Sequence, residues 1–165
     1  MAGMNSTAAA VGGAVTFVWL GMVLAISFLE APLKFRAPGV TIPLGLGIGR
    51  LVFRALNAVE VVLALAIVIA VALSGPSAVV VAFTVVVIVL LVVQLAVIRP
   101  RLNRRSDEVL AGVLDTGARA DAPAGAGVRA ESEQPRSHGH LAYVACEVVK
   151  VIALLDLGTS LLART

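Results

Sequence analysis

From Ala78 to Ile98 the chain is apolar except at Thr84 and Gln94, and valine dominates it. At 1.5 Å rise per residue, a run of this length matches the roughly 30 Å hydrocarbon core of a bilayer. Valine is a poor helix former in water, but in lipid a segment must satisfy its own backbone hydrogen bonds, which favours helix. Three further stretches read the same way: Ala8 to Leu29, Leu51 to Leu73, and Leu141 to Leu162. Composition agrees with this. Of 165 residues, 59% are hydrophobic and 14% charged, against roughly 45–50% and 25% in soluble domains. Too little polar surface remains to cover a water-facing body. The expectation is an all-α fold, an integral membrane bundle of four transmembrane helices in a single domain over residues 1–165.

The connections differ in kind. Ser74-Gly75-Pro76-Ser77 is a turn of helix breakers that sets the second and third spans antiparallel. Glu30 to Gly49 holds Pro32, Pro38 and Pro43 among four glycines, so it should not form one continuous helix and should lie at the interface. Residues 106–137 turn to Ala, Gly and Pro with scattered charges, the composition of a flexible solvated loop. Basic residues flank the first connection (Lys34, Arg36, Arg50, Arg54) and fill the third (Arg99, Arg101, Arg104, Arg105 and beyond), while the second has none. The positive-inside rule then places connections one and three in the cytoplasm, with both termini outside a plasma membrane. The first span lacks a basic leader, so it reads as a span and not as a cleaved signal. Arg50, Arg99, Arg101, Arg104 and Arg105 read as topology anchors, with contact to anionic lipid head groups as the sharper alternative.

An internal echo is present. Ala58-Val59-Glu60-Val61-Val62 resembles Ala145-Cys146-Glu147-Val148-Val149, and the preceding odd-numbered spans end near Pro32 and Pro100. This suggests two repeated helix pairs in parallel orientation.

Ionisable groups at membrane depth are expensive unless paired, so they are the best pointers to function. Counting from the cytoplasmic ends, Arg54, Asn57 and Glu60 descend one helix to about 15 Å, and Tyr143, Glu147 and Lys150 descend another to the same depth. The matched depths predict that Glu60 approaches Lys150 and that Glu147 approaches Arg54 or Asn57, with Tyr143 and Gln94 adding hydrogen bonds. The repeat alignment instead levels Glu60 with Glu147, and two facing carboxylates favour sharing a proton. The plain reading of this network is structural glue, and the functional alternative is a path for a proton or small solute. Asp156 lies on another side, near the outer interface.

Other chemistries find little support. The lone Cys146 completes no disulfide or thiolate metal site. His138 and His140 lie together, but no histidine on another helix completes a metal or haem set. Gly45-Leu46-Gly47-Ile48-Gly49-Arg50 departs from the dinucleotide fingerprint, with arginine at its sixth position and no strand before it. No nucleophile–base pair can be assembled, so neither an enzyme nor a cofactor is expected. Aromatic content of 4% and a net charge of +3 give no sign of nucleic-acid binding.

The layout resembles a group of small four-span membrane proteins of unsettled role, the transmembrane protein 205-like group. The likeness lies in Ala31-Pro32-Leu33-Lys34-Phe35 after the first span, Arg50-Leu51-Val52-Phe53 opening the second, Arg99-Pro100-Arg101-Leu102-Asn103 closing the third, and His140 at the entry to the fourth. The Pro/Gly connection from Gly39 to Gly49 and the long third connection depart from it. The resemblance implies a four-helix membrane bundle and carries over no catalytic residue. The expected role is a non-enzymatic membrane component or accessory subunit, with the bilayer and a second copy or membrane partner as its company. A small proton-coupled carrier acting as a homo-oligomer is the alternative.

Overall fold

The computed structural model describes residues 2–98, 100, 104 and 138–165, and every long element among them is helical. Helix α1 (Ala2–Val23) continues without a break through a π-helical stretch, Leu24–Glu30, a turn at Ala31–Leu33 and a 3-10 turn at Lys34–Arg36. Helix α2 spans Ile42–Leu73, α3 spans Ala78–Val93 and runs on as the π-helical turn Gln94–Ile98, and α4 spans His138–Leu162. Three helical segments are long and apolar enough to cross a membrane, Asn5–Arg36, Ile42–Leu73 and Ala78–Ala96. Helix α4 carries Glu147, Lys150 and Asp156 along its length.

Two boundaries differ from the sequence reading. Residues 30–49 are not one continuous helix, as expected, because the chain breaks at 37–41, but they are helical on both sides of that break. Pro32 lacks the N–H that an α-helix interior needs and would crowd the carbonyl four residues back. The widened π turns just before it relieve that conflict, with the Ala31 N–H reaching the Ile26 carbonyl. Pro43 falls in the first turn of α2, where a missing N–H is harmless. Thr41 caps that turn, its hydroxyl accepting from the Leu44 N–H at 3.5 Å. Helix α2 therefore starts well ahead of Leu51. Gly45 and Gly49 are used for close approach. A Cβ on Gly45 would run into the Phe35 ring, and one on Gly49 would lie 2.6 Å from Lys34 Nζ, so the bare helix face lets the end of α1's rod lie against it.

The turn between α2 and α3 forms where the breakers stand. Gly75 takes a left-handed φ of +62°, and the Ser77 hydroxyl accepts from the Val80 N–H to start α3. Arg164 donates to the Gly75 carbonyl at 2.5 Å, so the end of α4 lies beside that turn. The 106–137 loop lies outside the described residues, as do Arg99, Arg101 and Arg105.

Helix α1 packs against both α2 and α4, and α3 packs against α4 and more lightly against α2. The core joins Trp19, Ile67, Val87, Leu154 and Leu157, each nearly inaccessible. Small residues set the α1–α4 distance, because a Cβ on Gly158 would come within 2.9 Å of the Phe17 ring. Outward faces are strongly apolar, with Leu51, Val62 and Leu65 each more than 60% exposed. The inner faces hold the polar groups.

Burial repeats along the chain. Thr16, Trp19 and Val23 are buried on α1, and the same spacing recurs as buried Thr84, Val87 and Leu91 on α3. Both threonine hydroxyls donate back to the carbonyl four residues earlier, Gly12 and Val80, at 2.7 Å. Both π-helical segments end just ahead of a proline, Pro32 and Pro100. On α2, buried Glu60, Ile67 and Ala70 have the spacing of buried Glu147, Leu154 and Leu157 on α4.

Candidate functional site: a buried charge network

The buried charges converge in one place, and all four helices contribute. Lys150 of α4 is fully enclosed. Its Nζ donates to Glu60 Oε1 of α2 at 2.8 Å and, more distantly, to Glu147 Oε1 one turn back on its own helix at 3.5 Å. Trp19 of α1 donates its indole N–H to the same Glu60 oxygen at 2.9 Å. Gln94, at the start of the π turn of α3, donates through Nε2 to Glu147 Oε1 at 2.5 Å. The result is a continuous chain of contacts, Trp19–Glu60–Lys150–Glu147–Gln94.

Local structure explains this convergence. Glu147 and Lys150 are three residues apart on α4, so they share a face. Glu60 lies on the buried stripe of α2 that includes Leu56, Ala64 and Ile67. Trp19 and Gln94 supply neutral donors where a second lysine would have to be desolvated. An isolated charge in so apolar an interior would be prohibitively expensive, whereas a hydrogen-bonded pair recovers most of that penalty.

The charges in the network do not balance. The network holds two carboxylates and one ammonium. Glu147 Oε2 and Gln94 Oε1 are buried and make no hydrogen bond among the described residues.

The remaining sequence candidates sit elsewhere. Glu147 is engaged by Gln94 and Lys150 in place of Arg54 or Asn57, because Arg54 projects outward and Asn57 is only half-buried. Tyr143 is half-buried, its ring meeting Phe53 edge-on with centroids 5.7 Å apart. Asp156 is half-buried and makes no side-chain bond to the network among the described residues. Arg50 is half-buried and Arg104 exposed. Near the α1–α2 connection, Lys34 lies over the Phe53 ring at 5.4 Å and pairs with Glu30 at 3.5 Å. Sequence reasoning missed Trp19. Its signal was available: the chain's single tryptophan, with a donor-only indole N–H, lies in an otherwise apolar run.

No protein-family model, curated protein or solved structure matches this chain.

Proposed function

We propose that this chain is a four-span integral membrane protein of the plasma membrane, with a non-enzymatic role as a membrane component or accessory subunit. The observation that carries this reading is the inverted distribution of polarity. The outward faces are valine and leucine, while Glu60, Glu147 and Lys150 are turned inward and joined across the bundle. In water that arrangement would expose a large apolar surface, whereas in lipid it is the economical one. Helix α4, 25 residues long, is the fourth span. Its paired charges relieve each other, so their presence does not argue against insertion.

The same reading takes the chain as two repeated helix pairs. It is supported by the matched burial spacings, the paired threonine back-bonds and the two π segments before prolines. Two parallel pairs place both termini on one side, and the positive-inside rule makes that side external. A reporter fused after Thr165 is expected to read as external, and a cytoplasmic signal would overturn the orientation. Native mass spectrometry of the protein purified in mild detergent tests the role. A second membrane polypeptide or further copies of the chain, with bound lipid, is the expected result. A bare monomer that turns over a small molecule would refute it.

The second reading, a small proton-coupled carrier working as an oligomer, is favoured by one specific observation. A purely structural network has no need of an excess carboxylate whose buried oxygen has no partner among the described residues. Solute-driven proton movement in vesicles containing the purified protein would select it.

A further inference from the structure

We propose that the network is a proton-binding site, holding one exchangeable proton on the Glu147 carboxyl beside Gln94. The inference rests on the membrane placement proposed above, but it does not depend on whether the chain moves a solute.

Three independent observations point there. The charge count comes first: Glu60 and Glu147 face the single ammonium of Lys150, and no other cationic side chain makes a bond to either carboxylate among the described residues. One added positive charge makes the cluster neutral, the state a low-dielectric interior favours. The second is the pair of orphaned acceptors. Gln94 is 3% exposed and Glu147 2% exposed, yet Gln94 Oε1 and Glu147 Oε2 have no hydrogen-bond partner among the described residues. These side chains already touch through the Gln94 Nε2 to Glu147 Oε1 bond. A proton on Oε2 turns one of the two acceptors into a donor. The third is the backbone. Gln94 opens a π-helical turn, a local departure from α-geometry that is often found at functional positions.

The two carboxylates are not equivalent candidates. Glu60 Oε1 already receives the closer Lys150 contact, 2.8 Å against 3.5 Å, together with the Trp19 indole. Its charge is therefore the better compensated. Among the described residues, the polar contacts of Glu147 are with Gln94 from α3's π turn and Lys150 from its own helix, with Glu60 reached through that lysine and Tyr143 one turn back on α4. In the binding step a proton from bulk water or buffer adds to Glu147 Oε2, giving a neutral carboxylic acid and leaving the Glu60–Lys150 pair ionised. Release reverses this. No other bond changes.

Infrared spectroscopy of the full chain in lipid reads this directly, because a protonated carboxyl has a carbonyl stretch that a carboxylate lacks. At neutral pH the wild type is expected to show one buried acid band that shifts slowly on transfer to D2O. Glu147→Gln abolishes it. Glu60→Gln also abolishes it, because a single remaining carboxylate then balances Lys150. Lys150→Met raises it about twofold, since neither carboxyl keeps a counter-charge; if that variant does not fold, the two glutamine variants still decide the matter. Asp156→Asn leaves the band unchanged, and so does replacing choline with sodium in the buffer. A wild type with no acid band overturns the proposal, as does a band that survives Glu147→Gln or one that sodium displaces. Failure of the membrane reading is separately visible, as loss of protein from floated vesicles, and would not be mistaken for absence of the band.

Discussion

Glu60 and Glu147 stand in nearly the same local sequence, on the buried stripes of two helices with matching burial, yet they are stabilised very differently. Glu60 has an ammonium at 2.8 Å and an indole N–H at 2.9 Å on one oxygen. Glu147 receives a neutral amide and only the more distant ammonium contact, 3.5 Å, on one oxygen, and its other oxygen has no partner among the described residues. On the proposed alignment of two repeated helix pairs, three substitutions accompany this difference. The position on α2 that corresponds to Lys150 is Leu63, the one on α3 that corresponds to Trp19 is Val87, and the one on α1 that corresponds to Gln94 is Ile26. A symmetric scaffold would hold two equally strained acids. With one lysine, placed nearer one of them, the scaffold has a firm pair and a loose acid.

That contrast can be broken most severely at the lysine. Lys150→Met takes the counter-charge from Glu60 in an apolar interior, so that this carboxyl too must be neutralised, and is expected to destabilise the bundle by about 3–5 kcal/mol, measured by reversible unfolding in mixed micelles. Next come the residues on the firm side. Trp19→Phe keeps most of the ring's packing but deletes its bond to a charged acceptor, a loss of about 1.5–3 kcal/mol in the same assay. Glu60→Gln is expected to fall in a similar range. Glu147→Gln sharpens the comparison, because the amide keeps an oxygen for Gln94 and is neutral, as the protonated acid is. Its expected effect is under about 1 kcal/mol, and a loss as large as that of Glu60→Gln would make the two acids equivalent after all. Arg54→Ala, at an outward-facing position, is expected to change stability by no more than about 0.5 kcal/mol.

Much of this was legible in the sequence, for reasons that can be traced to particular residues. The apolar runs announced the long helices because span length is fixed by bilayer thickness and not by packing detail. Depth along a helix follows from rise per residue, so Glu60 could be levelled with Lys150 before any side chain was seen. Rotation about the helix axis is harder to read. Arg54 and Asn57 were levelled with Glu147 by the same arithmetic, but Arg54 faces outward, and Gln94, expected to add a hydrogen bond to the network, makes the contact to Glu147 instead. The helical course through Pro32 was also hidden. Proline normally ends a helix, and only the π turns ahead of it show how the rod continues. Trp19 was missed because a tryptophan in an apolar span reads as packing, and its polar role depends on which helix faces it.

Glu60 and Lys150 are directly coupled at the heart of the bundle, and a double-mutant cycle measures that coupling most directly. Stabilities of the wild type, Glu60→Gln, Lys150→Met and the double variant in lipid should give an interaction energy of about 2–3 kcal/mol, with the double variant more stable than Lys150→Met alone. Purely additive losses with no rescue in the double variant would contradict it.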